Sequence, residues 1–115
     1  MDGDWSLARI KVTDGQLAEY ILEDANGFLN LNFDAGKSDG FLSFNLNTDT
    51  EIYSFSVDFQ SDDLKYSFNS DELILGSDDN REAYKVILRT RRDLVLEYYE
   101  VSSFQLRKFV FVKQE

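Results

Sequence analysis

The chain has no histidine, no cysteine and no proline, and it has one tryptophan and one methionine among its 115 residues. Without histidine and cysteine there is no histidine general base, no Ser-His-Asp or Cys-His arrangement, no disulfide and no nitrogen or thiolate metal ligand. The lack of cysteine fits either redox compartment. These absences exclude much of the usual catalytic inventory, and we expect neither a cofactor nor a metal site.

Positive charge is also scarce, because 12 Lys and Arg face 22 Asp and Glu, which gives a net charge of -10. Wrapping a nucleic-acid backbone or docking on an anionic membrane needs clustered positive charge. No apolar run approaches the roughly 20 residues that span a bilayer, and the start does not resemble a signal peptide. We therefore expect no nucleic-acid partner and no membrane span.

Apolar residues are plentiful: 43% of the chain is hydrophobic, with ten Phe and six Tyr. This composition is far too apolar for a disordered acidic chain. The length suits one domain over residues 1–115.

The hydrophobic pattern has a period of two, which is typical of half-buried strands with one wet face. In the clearest segment Tyr53, Phe55, Val57 and Phe59 share one face, and Ser54, Ser56 and Asp58 share the other. About eight or nine such strands are joined by short turns, which predicts an all-β antiparallel up-and-down barrel, with an open β-sandwich as the alternative. The predicted strands are 5–12, 28–33, 41–46, 52–59, 64–68, 73–75, 84–88, 94–99 and 104–112.

Two segments depart from this pattern. Leu17, Tyr20 and Ile21 have helical spacing after Asp14, which slightly favours a short helix or turn over a strand in Gln16–Glu23. In the last strand Phe104 and Leu106 share one face, whereas Phe109 and Phe111 share the other. A β-bulge near Arg107 and Lys108 would bring both pairs to the core. The rival interpretation leaves Val110 and Val112 for a partner, as in a homodimer through the last strand.

Gly3-Asp4-Trp5 at the start of the first strand and Arg107 in the last resemble the lipocalins. In that family a G-x-W motif opens the first barrel strand, and its Trp packs against an Arg of a late strand. The stretch 84–97 is similar to the late hairpin of short bacterial lipocalin-like domains. The resemblance implies a structural role for Trp5 and Arg107, a small-molecule site inside the barrel, and a periplasmic, envelope-anchored or secreted setting.

Charged clusters give weaker signals. The run Asp34 to Gly40 has the look of a calcium loop, but its glycines miss the EF-hand spacing, which favours turn chemistry. Asp58, Glu97 and Glu100 are candidates for an acid-pair hydrolase, yet no spacing selects a pair, so we expect no enzyme. One hairpin carries a basic group that either contacts an anion or pairs with acids on neighbouring strands: Lys85, Arg89, Arg91 and Arg92.

The aromatic residues indicate function most directly. The sequence predicts a non-catalytic module that binds a small apolar or amphipathic molecule in the barrel interior. Its predicted ligand-binding residues are Tyr53, Phe55, Phe59, Tyr66 and Phe68, from an aromatic set that also includes Tyr84 and Tyr98. An eight-stranded barrel is just wide enough to be filled by such rings. The alternative is therefore a structural or protein-interaction domain with a filled core, docking through its surface or last strand.

Overall fold

The computed structural model describes residues 1–22, 25–47, 52–76 and 81–114. These residues contain ten strands and no helix, so none of them forms a helix able to cross a membrane. Nine strands coincide with the predicted ones, and β2 is additional. The strands are β1 Gly3–Thr13, β2 Glu19–Leu22, β3 Asn26–Asn32, β4 Lys37–Asn47, β5 Ile52–Asp58, β6 Lys65–Ser67, β7 Glu72–Leu75, β8 Glu82–Arg89, β9 Asp93–Glu100 and β10 Gln105–Lys113.

All ten strands belong to one antiparallel sheet, in the order β5-β4-β3-β1-β10-β9-β8-β7-β6. The first part of β1 pairs with β3 and its last part with β2. The predicted all-β antiparallel class is confirmed. Within the described residues no ladder joins the edge strands β5 and β6, so the sheet is compatible with a barrel-like form and with an open sandwich.

The sheet curls so that its inner face forms the core. Phe59, which follows edge strand β5, is fully buried and makes edge-on ring contacts with Tyr84, Phe109 and Phe111 of the other half of the sheet. Edge-to-face aromatic pairs of this kind stabilise a core beyond the area they bury. The centre of the molecule is therefore occupied by side chains.

The predicted bulge near Arg107 and Lys108 is wrong. Strand β10 alternates without a break, and its buried positions are Gln105, Arg107, Phe109 and Phe111. Phe104 precedes the strand, adopts a positive φ of 53° in the turn and is exposed. Because this side chain is not part of the core, no bulge is needed to turn it inward. Two polar residues thus take the inner positions that the pattern reserved for apolar ones.

Bulges occur instead in β1 and β8. In β1 the pairing to β10 steps from Leu7 to Arg9, which leaves Ala8 as the extra residue. In β8 the pairing to β9 steps from Val86 to Leu88, which leaves Ile87 extra. The bulge in β1 shifts the side-chain phase by one residue, so Leu7 before it and Ile10 after it both face the core, whereas Leu88 after the bulge in β8 is exposed.

The preference for a helix or turn in Gln16–Glu23 is wrong for Glu19–Leu22, which is strand β2; Glu23 lies outside the described residues. Asp14 Oδ1 accepts hydrogen bonds from the backbone N–H groups of Gln16 and Ala18, both at 2.9 Å. The aspartate therefore closes a tight turn instead of capping a helix. Pairing with β1 then holds the segment extended, because tertiary hydrogen bonds override a weak local preference.

The predicted turn over Asp34–Gly40 is shorter than expected. Residues 33–36 form the turn, and Lys37–Gly40 already belong to β4. Ser38 and Gly40 occupy inner positions of that strand, where small residues give no hydrophobic signal. A Cβ at position 40 would lie 2.6 Å from the Phe28 carbonyl oxygen, so the close approach of β3 requires glycine there.

The last strand lies in the middle of the sheet, between β1 and β9. Both of its backbone edges are paired, so a second copy cannot extend the sheet at β10. Its outward side chains Val110 and Val112 are half-buried and 38% exposed, respectively. A homodimer that uses these side chains stays a prediction.

Candidate functional site

A cleft of about 270 Å³ opens where β5 lies across from β8, β9 and β10. We call it the β5–β8 cleft. Its position follows from the curl of the sheet, because β5 covers the far half without pairing to it. Rings and one cation line its inner part, and carboxylates lie around them. The lining residues are Ser56, Val57, Asp58, Glu82, Tyr84, Tyr98, Glu100, Arg107 and Phe109.

Arg107 is the most unusual lining residue. The unbroken alternation of β10 turns it inward, and its side chain is 6% exposed. Its guanidinium carbon lies 4.0 Å from the centre of the Phe55 ring, a cation–π contact from the opposite strand. Burial lowers the pKa of Arg107, while the negative charge of Glu100 opposes that shift. The guanidinium nevertheless stays charged at neutral pH.

The hydrogen bonds of Arg107 are few for a buried guanidinium. Its Nε and Nη2 donate to Gln105 Oε1 at 3.4 and 3.3 Å. Both distances exceed those of a strong charge-assisted bond, about 2.7–2.9 Å. Among the described residues no carboxylate oxygen lies within ion-pair distance of this cation. The fork of donors is thus incompletely satisfied at the wall of a cleft.

Glu100 is the acid whose charge affects Arg107 most, but its carboxylate is hydrogen-bonded to Ser102. Its Oε1 accepts hydrogen bonds from the Ser102 hydroxyl at 2.7 Å and from the Ser102 backbone N–H at 3.3 Å. These bonds lower the pKa of Glu100 below its ordinary value. The carboxylate is therefore held by the turn after β9 and stays ionised beside the cleft.

Two tyrosines complete the wall. Burial is the main cause that raises the pKa of Tyr84 far above its ordinary value. Burial also raises the pKa of Tyr98, and the charge of Glu82 adds to that shift. The two rings lie 5.3 Å apart, centre to centre. Both tyrosines therefore present neutral hydroxyls and aromatic surface at neutral pH.

The structure does not bring the five predicted ligand-binding residues into one pocket. Tyr53 and Phe55 stack on each other at 5.9 Å in β5, near the β5–β8 cleft. Phe59 is fully buried in the central ring cluster. Tyr66 and Phe68 lie on the other side of it, around a second groove. The period of two placed these residues on one face of their strands, but it carried no information on how far apart the strands lie along the curl.

The second groove, of about 530 Å³, is lined by Met1, Asp2, Phe33, Leu64, Lys65, Tyr66, Phe68 and Arg89. Arg89 lies 4.9 Å from the Tyr66 ring centre and 5.8 Å from that of Phe68, which is 78% exposed. The Tyr66 hydroxyl donates to Asp71, and this bond is the main cause that raises the Tyr66 pKa. After the bulge at Ile87, Arg89 is paired with the buried Leu94, so its side chain lies on the inner face of the sheet.

The Trp5–Arg107 pair implied by the resemblance is absent from the structure. Trp5 is paired with Lys113 across β1 and β10, whereas Arg107 is paired with Val12 near the other end of β1. The Lys113 ammonium lies 4.8 Å from the Trp5 ring centre, and the indole N–H donates to the Met1 carbonyl oxygen at 2.9 Å. Trp5 is buried, and its late-strand cation is a lysine.

The remaining charged candidates are dispersed. Glu97 lies on the outer face of β9 and contacts Lys108 at 4.0 Å, so it does not share a cleft with Asp58 and Glu100. Arg91 and Arg92 border an open depression of about 580 Å³ at the β8–β9 turn. In the part of the chain that the structure describes, no three acidic side chains are grouped as metal ligands.

Sequence reasoning missed Glu82, which lines the cleft, and Gln105, which accepts the hydrogen bonds of Arg107. One available signal was the strict alternation of Gln105, Arg107, Phe109 and Phe111, which places a charged residue on a core face. Fold and cleft together define a small all-β protein with a polar and aromatic cleft across a curled sheet.

Two solved structures of odorant-binding proteins, which are lipocalins, are similar to this chain. A complex of bovine odorant-binding protein with undecanal is 13% identical at a TM-score of 0.47, covering 98% of this chain and 70% of that chain. A second one is 13% identical at 0.42, with coverage of 99% and 71%. No protein-family model and no curated protein matches the sequence.

Proposed function

We propose that this chain is a non-catalytic binding protein that takes one small amphipathic molecule into the β5–β8 cleft. The observation that carries the proposal is Arg107, a buried cation beside three aromatic rings in a cleft that carboxylates also line. Ligand sites typically combine an apolar wall with a few placed polar groups. The volume of about 270 Å³ suits a ligand near the small end of the usual range of roughly 300–1,000 Å³.

A binding role fits the cleft better than hydrolysis. An acid-pair hydrolase needs one carboxylic acid that stays protonated, which requires a raised pKa. The pKa of Glu100 is instead lowered by its bonds to Ser102. Glu97, another acid of β9, is paired with the outward Lys108 and so lies on the opposite face of the sheet. Glu100 therefore acts as a charge beside the ligand and not as a general acid.

The test is calorimetric titration of the whole chain with 1-octanol, a neutral amphiphile. We expect one site per chain. The variant Val57→Phe fills the cleft from β5 and should weaken binding at least about tenfold, or about 1.4 kcal/mol. The matched variant Val112→Phe makes the same change on the outer face of β10 and should bind like the wild type. Absence of saturable binding, or equal loss in both variants, would contradict the proposal.

Native mass spectrometry after incubation with a lipid and metabolite extract would then identify the natural ligand. One added mass per chain supports the binding proposal. A dimer without added mass supports the alternative, a domain with a filled centre that docks through Val110 and Val112. The full burial of Phe59 shows that the centre of the molecule is filled, as that alternative requires, but Phe59 does not line the β5–β8 cleft.

A further inference from the structure

We infer that the head group of the ligand is a single carboxylate, bound by the guanidinium of Arg107. The inference rests on the proposed binding function and adds the chemical class of the ligand. Its starting point is the set of N–H donors that the protein leaves unused in the β5–β8 cleft.

A guanidinium has five N–H donors in a planar fork. Two of those on Arg107 share one acceptor, Gln105 Oε1, and one face of the group is covered by the Phe55 ring. The remaining three donors have no acceptor among the described residues. Ser103 Oγ is the sole fully buried side-chain polar atom without a partner in the described part of the chain, so the free nitrogen of Arg107 is accessible from the cleft. A carboxylate in the cleft would accept two parallel hydrogen bonds from this fork.

The charges around the cleft limit the ligand to one negative charge. Asp58, Glu82 and Glu100 line the same cleft, so three carboxylates accompany one guanidinium. A dianionic head such as a phosphate monoester would gain the same fork and meet twice the repulsion from these acids. A cationic head would meet favourable acids but also the buried Arg107. Asp58 and Glu82 are exposed, so water and salt screen their charges more than that of Arg107. For a ligand with one negative charge, the hydrogen bonds from the Arg107 guanidinium therefore outweigh the repulsion from these acids.

The experiment compares four probes of equal chain length near neutral pH: octanoate, 1-octanol, octylamine and octyl phosphate. We expect octanoate to bind at least about tenfold more tightly than octylamine and more tightly than octyl phosphate, because a carboxylate accepts charge-assisted hydrogen bonds from Arg107 and carries one negative charge instead of two. Tighter binding of octylamine or octyl phosphate than of octanoate would overturn the inference.

The decisive variant is Gln105→Glu, which supplies Arg107 with a carboxylate from the protein itself. We expect octanoate binding to weaken at least about tenfold and 1-octanol binding to stay within about threefold, since only the fork changes. Arg107→Lys retains the charge without the fork and should weaken octanoate selectively as well. Lys108→Gln, which removes a cation from the outer face of the same strand, is the control and should bind like the wild type.

The outcomes separate the two proposals. If 1-octanol binds in the cleft but Gln105→Glu weakens octanoate and 1-octanol alike, the head-group inference fails and the binding function stands. If none of the four probes binds, both fail. If Gln105→Glu does not fold, as judged by its circular dichroism, Arg107→Lys decides the question with the same readout.

Discussion

At the scale of single residues, the β5–β8 cleft depends on a charged side chain at a core position. Burial of an unpaired cation is costly, and a buried charge is generally retained with partners or with a function. Arg107 has one aromatic face and one amide oxygen as partners. This is little compensation for a side chain that is 6% exposed, and it is why we assign the remaining donors to a ligand.

Tyr84 gives a prediction for alkaline pH. Its pKa is raised in the folded protein, so the folded state holds the phenolic proton at a pH where the unfolded chain, with a pKa of about 10, has lost it. The stability due to this shift is complete below about pH 10 and declines as the pH rises above that value.

We therefore expect Tyr84→Phe to be close to wild type in urea denaturation at neutral pH and to lose less stability than the wild type above about pH 10. Tyr99→Phe changes an exposed tyrosine of β9 and is the control. Parallel alkaline curves for wild type and Tyr84→Phe would show that burial of this hydroxyl does not govern the alkaline limit.

At the scale of strands, the period of two located most of the elements, because their strands bury one face and expose the other; β9, with Leu94, Val95 and Leu96 all buried, was located by its continuous apolar run. The missed strand, β2, has the burial pattern of a partly exposed ladder and takes its conformation from pairing with β1. The bulges escaped prediction for a related reason. A bulge can be recognised in a sequence only when it is known which apolar residues on each side of it face the core. The same missing knowledge produced the wrong bulge in β10, because the pattern counted Phe104 as a core residue and this side chain is exposed.

The bulge in β1 yields a test by deletion. Without Ala8, the inner positions before and after the bulge keep the same phase, since the extra residue is the one removed. Without Lys11, Ile10 and Val12 become neighbours, and one of these buried side chains must turn to solvent.

We expect the Lys11 deletion to be less stable than the Ala8 deletion by about 1.5–3 kcal/mol, the contribution of one buried aliphatic side chain. Urea denaturation of both variants measures the difference. Equal stability would mean that the bulge is needed for more than phase, for example for the bend of β1.

At the scale of the whole molecule, sequence patterns assigned residues to faces, but the curl of the sheet decided which residues meet. Phe55 and Phe59 belong to the same predicted face and differ by four positions, yet Phe55 contacts Arg107 and Phe59 lies in the central ring cluster. The contact between Phe55 and Arg107 joins β5 to β10, strands that are far apart in the sheet order. Such contacts depend on tertiary closure, which strand periodicity does not encode.

The net charge of -10 determines the direction in which salt changes the binding of an anionic ligand. An anionic ligand is repelled by the whole protein and by the exposed acids of the β5–β8 cleft, and salt screens such exposed charges. The contact with Arg107 is buried and is screened much less. Added sodium chloride should therefore strengthen octanoate binding relative to 1-octanol, opposite to the usual effect on an exposed Arg–carboxylate pair.

Titrations at about 0.02 and 0.5 M sodium chloride, where the Debye length falls from more than 20 Å to about 4 Å, measure this ratio. Asp58→Asn removes one exposed acid of the cleft, so it should strengthen octanoate binding at low salt and reduce the salt dependence. Asp34→Asn makes the same change in the turn 33–36, whose Phe33 lines the second groove, and it should have a smaller effect. Weaker octanoate binding at high salt would place the carboxylate at an exposed cation instead of at Arg107.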